Sequence, residues 1–189
     1  MLRYNGPMHM RQTLMPRQWL LTDARTELVL DESLRRLPRG SGVIFRHYHL
    51  APAARRAAFG RILRICRARG LVAVLAAPAR HAVRWSADGA YGSPAELSRG
   101  PRTLRLCTAH SLGELGAAAR SRADAVLLSP VFPTRSHPHV RPLGPVRFLT
   151  LARRSRVPVF ALGGVTGRSA GRLAGAGWAA IDGLARKRP

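Results

Sequence analysis

The feature that most constrains this chain is a rhythm of eight short apolar runs: QWLLTD (18–23), GVIFR (42–46), LVAVL (71–75), GAYG (89–92), LRLCTAH (104–110), AVLLS (125–129), PVFALGG (158–164) and WAAID (178–182). Runs of this length, rich in Val and Leu and without period-two alternation, predict strands buried on both faces, as in a parallel sheet. The stretches between them carry helical patterns. In 51–70, Phe59, Ile62, Leu63 and Cys66 recur at helical spacing, while Arg55, Arg56, Arg64 and Arg67 fall off that stripe and predict a solvated face. Ser93-Pro94-Ala95-Glu96 and Ser111-Leu112-Gly113-Glu114 both match a capping box, so each predicts a helix start.

Eight strands, each followed by a helix or loop, predict an α/β fold: a compact (β/α)8 TIM barrel, with a doubly wound sheet giving the same local alternation. A chain of 189 residues is shorter than the ~200 to 250 usual for a barrel, so some elements must be brief. The region 78–86 leaves room for a short helix, and after Asp182 only GLARKRP remains, so the last helix is expected to be shortened. The apolar surface left uncovered there makes a homodimer an expectation. Residues 1–17 read as a loosely ordered extension and 18–189 as one barrel domain.

Charge comes next, because 32 basic residues against 9 acidic ones give a net +23, a balance that raises polyanion binding as a function. The basic residues are almost all Arg, scattered along the chain, and aromatics make up 6%. Nothing gathers into a basic groove with stacking platforms, so RNA or another polyanion is a remote alternative. Cys66 and Cys107 are far apart and predict buried thiols rather than a disulfide or zinc module. No segment is apolar and long enough for a signal sequence or a membrane span, so the expected location is the cytoplasm, with no membrane partner.

In a barrel, ligands sit at the C-terminal ends of the strands. Gly163 and Gly164, followed by VTGRSAGRL, place a Gly-Gly turn before a helix start, where backbone N–H groups favour an anion. Arg46 ends the second strand and can point a bidentate guanidinium into the barrel mouth. His110 ends the fifth strand and can donate, accept or orient.

These strand-loop pairs resemble the thiamine phosphate synthase and thiazole tautomerase family of thiamin-biosynthesis barrels. The resemblance is carried by LLTDAR at strand one, TAHSLGELGAAARSRADAVLLSPVFPT over 108–134, and PVFALGGVT over 158–166. It implies a synthase that joins a pyrimidine diphosphate to a thiazole phosphate, with diphosphate held on the loop after strand six and thiazole phosphate at strands seven and eight. Pro130, Phe132, Pro133 and Thr134 match that loop, Gly163 and Gly164 match the phosphate turn, His110 matches the strand-five histidine, and Arg46 matches the arginine of a Q-x-R-x-K motif. The expected roles are Arg46, Arg135 and His137 on diphosphate, Thr134 and Gly164 on thiazole phosphate, and His110 orienting the substrate. Arg141 and Gly183 join them as substrate-binding candidates, and His110 and His137 are the catalytic candidates.

The resemblance also implies a magnesium ion held by two aspartates, but its Asn-Asp pair after strand three falls on Ala76 and Ala77, so no metal ligand is predicted. The Gln and Lys of the Q-x-R-x-K motif fall on Ile44 and Tyr48, the loop lysine falls on His137, and the small Ser after strand eight falls on Asp182. Glu96 aligns with the second metal aspartate and also serves the capping box. Direct guanidinium contacts from Arg135 and Arg141, beside His137, would replace metal and lysine. Two rival readings follow: a tautomerase, in which His110 or His137 carries a proton because Pro130 fills the usual histidine slot, and a noncatalytic phosphate-ligand-binding protein.

Overall fold

A computed structural model describes residues 15–136 and 138–185. Eight strands run in chain order and close on themselves: β1 (Gln18–Leu21), β2 (Gly42–Phe45), β3 (Val72–Leu75), β4 (Gly89–Gly92), β5 (Leu104–Ala109), β6 (Ala125–Leu128), β7 (Val159–Ala161) and β8 (Trp178–Ala180). Every pairing is parallel, and β1 closes the ring against β8 through Gln18↔Trp178, Trp19↔Ala179 and Leu20↔Ala180. Closure excludes the doubly wound sheet. The joint between β7 and β8 is the lightest, with Ala161↔Trp178 as its register pair.

Alternate strand residues divide into two cores, as strand geometry requires. Trp19, Leu21, Ile44, Val74, Leu106, Leu127, Phe160 and Ala179 fill the barrel. Leu20, Val43, Phe45, Leu75, Val126 and Leu128 face the helices. The floor is set by Trp19, whose ring meets Phe160 edge-on at 6.4 Å and whose Nε1 donates to the Pro16 carbonyl at 2.9 Å. A Cβ on Gly42 would lie 2.1 Å from that indole, and one on Gly177 would lie 2.2 Å from the Phe160 ring. The two glycines make room for these two interior rings.

Among the described residues eight α-helices surround the barrel: α1 (Leu30–Arg36), α2 (Pro52–Arg69), α3 (Ala79–Arg84), α4 (Pro94–Leu97), α5 (Leu112–Arg120), α6 (Gly144–Arg154), α7 (Gly167–Ala170) and α8 (Asp182–Ala185). The compactness expected from length lies in α3, α4 and α7, and the last helix, expected to be shortened, is described as far as Ala185. Ser93 and Glu96 form a reciprocal capping box at α4. At α5 the Ser111 side chain accepts from the Glu114 amide, while Glu114 Oε2 reaches one residue further back, to the His110 N–H at 2.8 Å. Both cysteines are free and buried, and burial, with Asp88 nearby, pushes the Cys66 thiol up to about 12. No helix among the described residues is long and apolar enough to cross a membrane.

Two aspartates stitch neighbouring strands by the same device. Asp88 donates its N–H to the Ala73 carbonyl and accepts the Ala73 N–H on Oδ2, at 2.8 and 2.7 Å. Asp124 does the same to Arg105, at 2.9 and 2.8 Å.

Two expectations shift. Residues 1–14 of the anticipated extension lie outside the described residues, but Arg17 belongs to the barrel, since its carbonyl accepts the Trp178 N–H at 2.8 Å. Arg55 is not on a solvated face: its Nε and Nη2 donate to the carbonyls of Arg46 and Ala76 at 3.0 and 2.8 Å, and its guanidinium lies over Tyr48 and Trp85. One turn into α2, the side chain reaches over the strand ends.

Gly42→Ala is expected to lower stability by about 1–3 kcal/mol through overpacking against Trp19. Gly60→Ala in α2, where a Cβ meets nothing within 4 Å, is expected to raise it by about 0.5–1 kcal/mol. Thermal or urea melts of the two variants check the opposite signs.

Candidate functional site

At the C-terminal ends of the strands lies a cleft of about 260 Å³, walled by the loops after β1, β2, β6, β7 and β8. Its shape follows from the segment SPVFPT. Ser129-Pro130 is a cis peptide, and Val131 and Phe132 are buried. The Val131 and Phe132 amides donate to the Leu162 and Gly163 carbonyls at 2.9 and 3.0 Å. The far end of the loop returns, with Leu143 and Gly144 donating to the Pro130 and Val131 carbonyls, both at 2.9 Å. The loop is thus pinned at both ends, and the apolar residues inside SPVFPT supply one anchor.

Backbone then packs on backbone. Gly163 and Gly164 have φ of +88° and +64°, a region costly for residues with a Cβ. A Cβ on Gly164 would sit 2.2 Å from the Pro133 carbonyl oxygen, and one on Gly163 2.8 Å from Pro130 Cα. Gly183 makes the same allowance on the β8 side, where a Cβ would be 2.3 Å from the Val165 carbonyl oxygen. Thr166 caps α7 by accepting the Ser169 N–H at 3.2 Å. The turn expected to receive phosphate is therefore a pair of glycines under the β6 loop, with Gly183 packed against the backbone that follows it.

The opposite wall is ionic. Thr22, fully buried after β1, accepts the Arg46 N–H on Oγ1 at 3.0 Å and bonds His47 Nδ1 at 2.8 Å, joining the β1 and β2 loops. Burial, above all, lowers the His47 imidazole below its usual range, so the ring that stacks on Phe45 at 4.6 Å is neutral near pH 7. Asp23 divides its oxygens between two arginines: Oδ1 takes Arg25 Nε at 3.0 Å and Oδ2 takes Arg46 Nη2 at 2.8 Å. Burial pushes the Asp23 carboxyl up, but the Arg25 amide and the two guanidinia outweigh it and leave the group below the usual carboxylate range. Arg46 Nε is buried without a hydrogen-bond partner among the described residues, a condition that costs about 1–3 kcal/mol unless a ligand atom meets it.

Of the residues expected from sequence, Arg46, Thr134, Arg135, Gly163, Gly164 and Gly183 all line this cleft. Arg141 is exposed on the returning arm of the loop and is not in the wall. His110 stands beside the cleft rather than in its lining. Its Nδ1 lies 2.9 Å from the Ser129 carbonyl oxygen and 3.3 Å from Ser129 Oγ, and because a carbonyl only accepts, this contact places a proton on Nδ1. His137 lies outside the described residues.

Arg25 was missed. It donates from Nη2 to Ser136 Oγ at 3.2 Å and approaches Asp182 at 4.0 Å, so it spans the β1, β6 and β8 loops. Its signal was present in LLTDAR, as a cation two residues past the aspartate that ends the first apolar run. Two of its partners, Ser136 and Asp182, lie more than a hundred residues away.

The residues present do not fit the magnesium ion that the resemblance implies. Ala76 and Ala77 carry no donor, and the Ala76 carbonyl is taken by Arg55. Glu96 Oε2 is occupied by the Ser93 amide and hydroxyl, both at 2.8 Å, as the capping reading expected. Among the described residues no group of three His, Cys, Asp or Glu could hold a metal, whereas a hard cation needs several oxygen ligands.

The model of the family described as thiamine monophosphate synthase matches residues 20–185. A curated relative in Aquifex aeolicus, "Putative thiamine-phosphate synthase 2", is 41% identical over 59 residues, which is 31% of this chain and 32% of that protein. The aligned stretch thus spans about a third of that relative's length. Among solved structures, thiamine phosphate pyrophosphorylase from Pyrococcus furiosus superposes with a TM-score of 0.71 at 21% identity, covering 88% of this chain and 85% of that one. The enzyme of the same name from Bacteroides thetaiotaomicron gives 0.56 at 16% identity over 87% and 81%. At such identities the superpositions speak for the fold.

Gly164→Ala is expected to cost at least about 2 kcal/mol, from left-handed strain plus the collision with Pro133, and to loosen the β6 loop; thermal melting and limited proteolysis near Thr134 read both. Asp23→Asn tests the ionic wall. Because the folded carboxyl is held below its unfolded value, its stabilisation is complete above about pH 3.9 and is lost as pH falls through the folded value. With Asp23 and both arginines partly solvated, the loss at pH 7 is expected to be up to about 1 kcal/mol. The melting curves of Asp23→Asn and wild type should converge in acid.

Proposed function

The chain belongs to the thiamine monophosphate synthase family, and from that premise we propose that its cleft binds a thiazole phosphate and condenses it with a pyrimidinylmethyl diphosphate. The observation that carries this reading is the wall in which Pro130 and Pro133 pack on Gly163 and Gly164, with Thr134 and Gly183 beside them and Arg25, Arg46 and Arg135 around it. Glycines bring backbone N–H groups within reach of phosphate oxygens, and guanidinia supply bidentate, charge-assisted donors.

The chemistry asks for little else. The C–O bond between the pyrimidine methylene and diphosphate breaks, and the electron pair leaves with diphosphate. The thiazole nitrogen lone pair then forms the new C–N bond. No proton is transferred, so no general base is required; the need is for cations where charge accumulates on the departing oxygens. His110, beside the cleft with its Nδ1 bonded to the Ser129 carbonyl, is suited to orienting the substrate.

A second reading, binding without turnover, is favoured by one observation: Ala76 and Ala77 stand where the synthases place a metal-binding pair. Incubation with pyrimidine diphosphate and thiazole phosphate, with and without magnesium, separates the two. Appearance of thiamin phosphate is the expected result. Absence of product in both conditions, with thiazole phosphate still raising the melting temperature, would establish the binding protein instead. Interconversion of thiazole carboxylate tautomers would move the assignment to the tautomerase.

A further inference from the structure

We propose that this cleft takes its phosphate-bearing ligand without a divalent cation, and that Arg25 and Arg46, held side by side on the two oxygens of Asp23, are the cations that anchor it. The proposal rests on the phosphate reading above and adds the charge carrier and a residue, Arg25, not among those expected to bind.

The positive charge is built in. Asp23 fixes Arg25 through Nε and Arg46 through Nη2, so one carboxylate orients two guanidinia and neutralises half of their charge. Net positive charge remains on a wall that, within the cleft lining, faces Asp182 as the sole carboxylate. Asp182 is half exposed and 4.0 Å from Arg25 Nη1, a long and solvated contact that an anionic oxygen can displace. Arg25 Nη2 spends one donor on Ser136 Oγ, a neutral partner on the β6 loop. Arg46 Nε is buried with no acceptor among the described residues. The pair therefore offers donors that the protein itself satisfies weakly or not at all, on the wall opposite the Gly163-Gly164 turn.

The alternative carrier has no seat. The strand-three residues that would project metal ligands are alanines, and Arg55 Nη2 is bonded to the Ala76 carbonyl. A divalent ion near that position would meet a guanidinium in place of carboxylates. A fixed guanidinium pair differs from a metal in a measurable way: chelators do not remove it, and its contribution falls with ionic strength.

The test is isothermal titration of the full chain with inorganic pyrophosphate, once in EDTA and once in excess magnesium, repeated with Arg25→Gln and Arg25→Lys. Arg25 is a partly exposed side chain on a short turn, and thermal melting verifies that both variants fold. The expected result is binding in EDTA at least as tight as in excess magnesium, which itself complexes pyrophosphate, and a loss of about tenfold or more in Arg25→Gln from removal of a charge-assisted donor. Arg25→Lys should recover part of that loss. Binding that appears only with magnesium overturns the proposal and leaves the phosphate reading intact. Metal-independent binding that Arg25→Gln does not weaken also overturns it. No binding in either buffer overturns both.

Discussion

The cleft depends on one constraint: the backbone of the β6 loop lies directly on the backbone that follows β7, with no side chain between them. The Pro133 carbonyl sits where a Cβ of residue 164 would be, and Pro130 sits where a Cβ of residue 163 would be. This contact places Thr134 and Arg135 over the glycine turn and carries Ser136 to Arg25. Were the two backbones separated by even one methyl group, the loop would lift and the β1 wall would lose its partner across the mouth. The buried Val131 and Phe132 keep the approach from being merely tolerated, because their apolar burial holds the loop down.

Acidic residues are scarce enough that each can be followed. The nine carboxylates all have partners. Asp23 and Asp182 meet Arg25, and Glu32 and Asp31 meet Arg36 and Arg61. Glu27 faces His49. Asp88 and Asp124 take strand amides, and Glu96 and Glu114 take amides at helix starts. Burial raises the Asp88 and Asp124 carboxyls, so these two favour the fold at low pH and lose that contribution as pH rises through their folded values. Asp23 and Glu96, both held low, act in the opposite sense and lose their contribution as pH falls through their folded values. In so basic a chain five of the nine acids organise a strand end, a helix start or a pair of arginines, and the other four each face one basic side chain.

The eight strands were legible because each is buried on both faces and reads as an apolar run whatever its neighbours do. The starts of α4 and α5 were legible because capping is local. Arg55 was misread, since helical periodicity assigns a residue to a face without saying that the first turn of α2 overhangs the ends of β2 and β3. Arg25 was invisible for a related reason: Asp23 is near in sequence, but Ser136 and Asp182 reach it only through barrel closure. The glycines were read as turn formers, and the structure adds a second cause, the backbone above them. Arg141 lies outside the wall because adjacency in a loop is not adjacency in a wall; the loop is pinned back at Leu143, and Arg141 before it is exposed.

The paired staples of Asp88 and Asp124 have a mechanical consequence. They rivet β3 to β4 and β5 to β6, so those parts of the ring cannot easily part. No comparable rivet joins β7 to β8, where Ala161 and Trp178 form the register pair. The hoop thus has a seam, and Gly163, Gly164 and Gly183 lie across its mouth. On the proposed reading, a ligand seated on those glycines would act as a clasp on the ring's lightest joint, so that filling the cleft and keeping the hoop shut would become a single equilibrium.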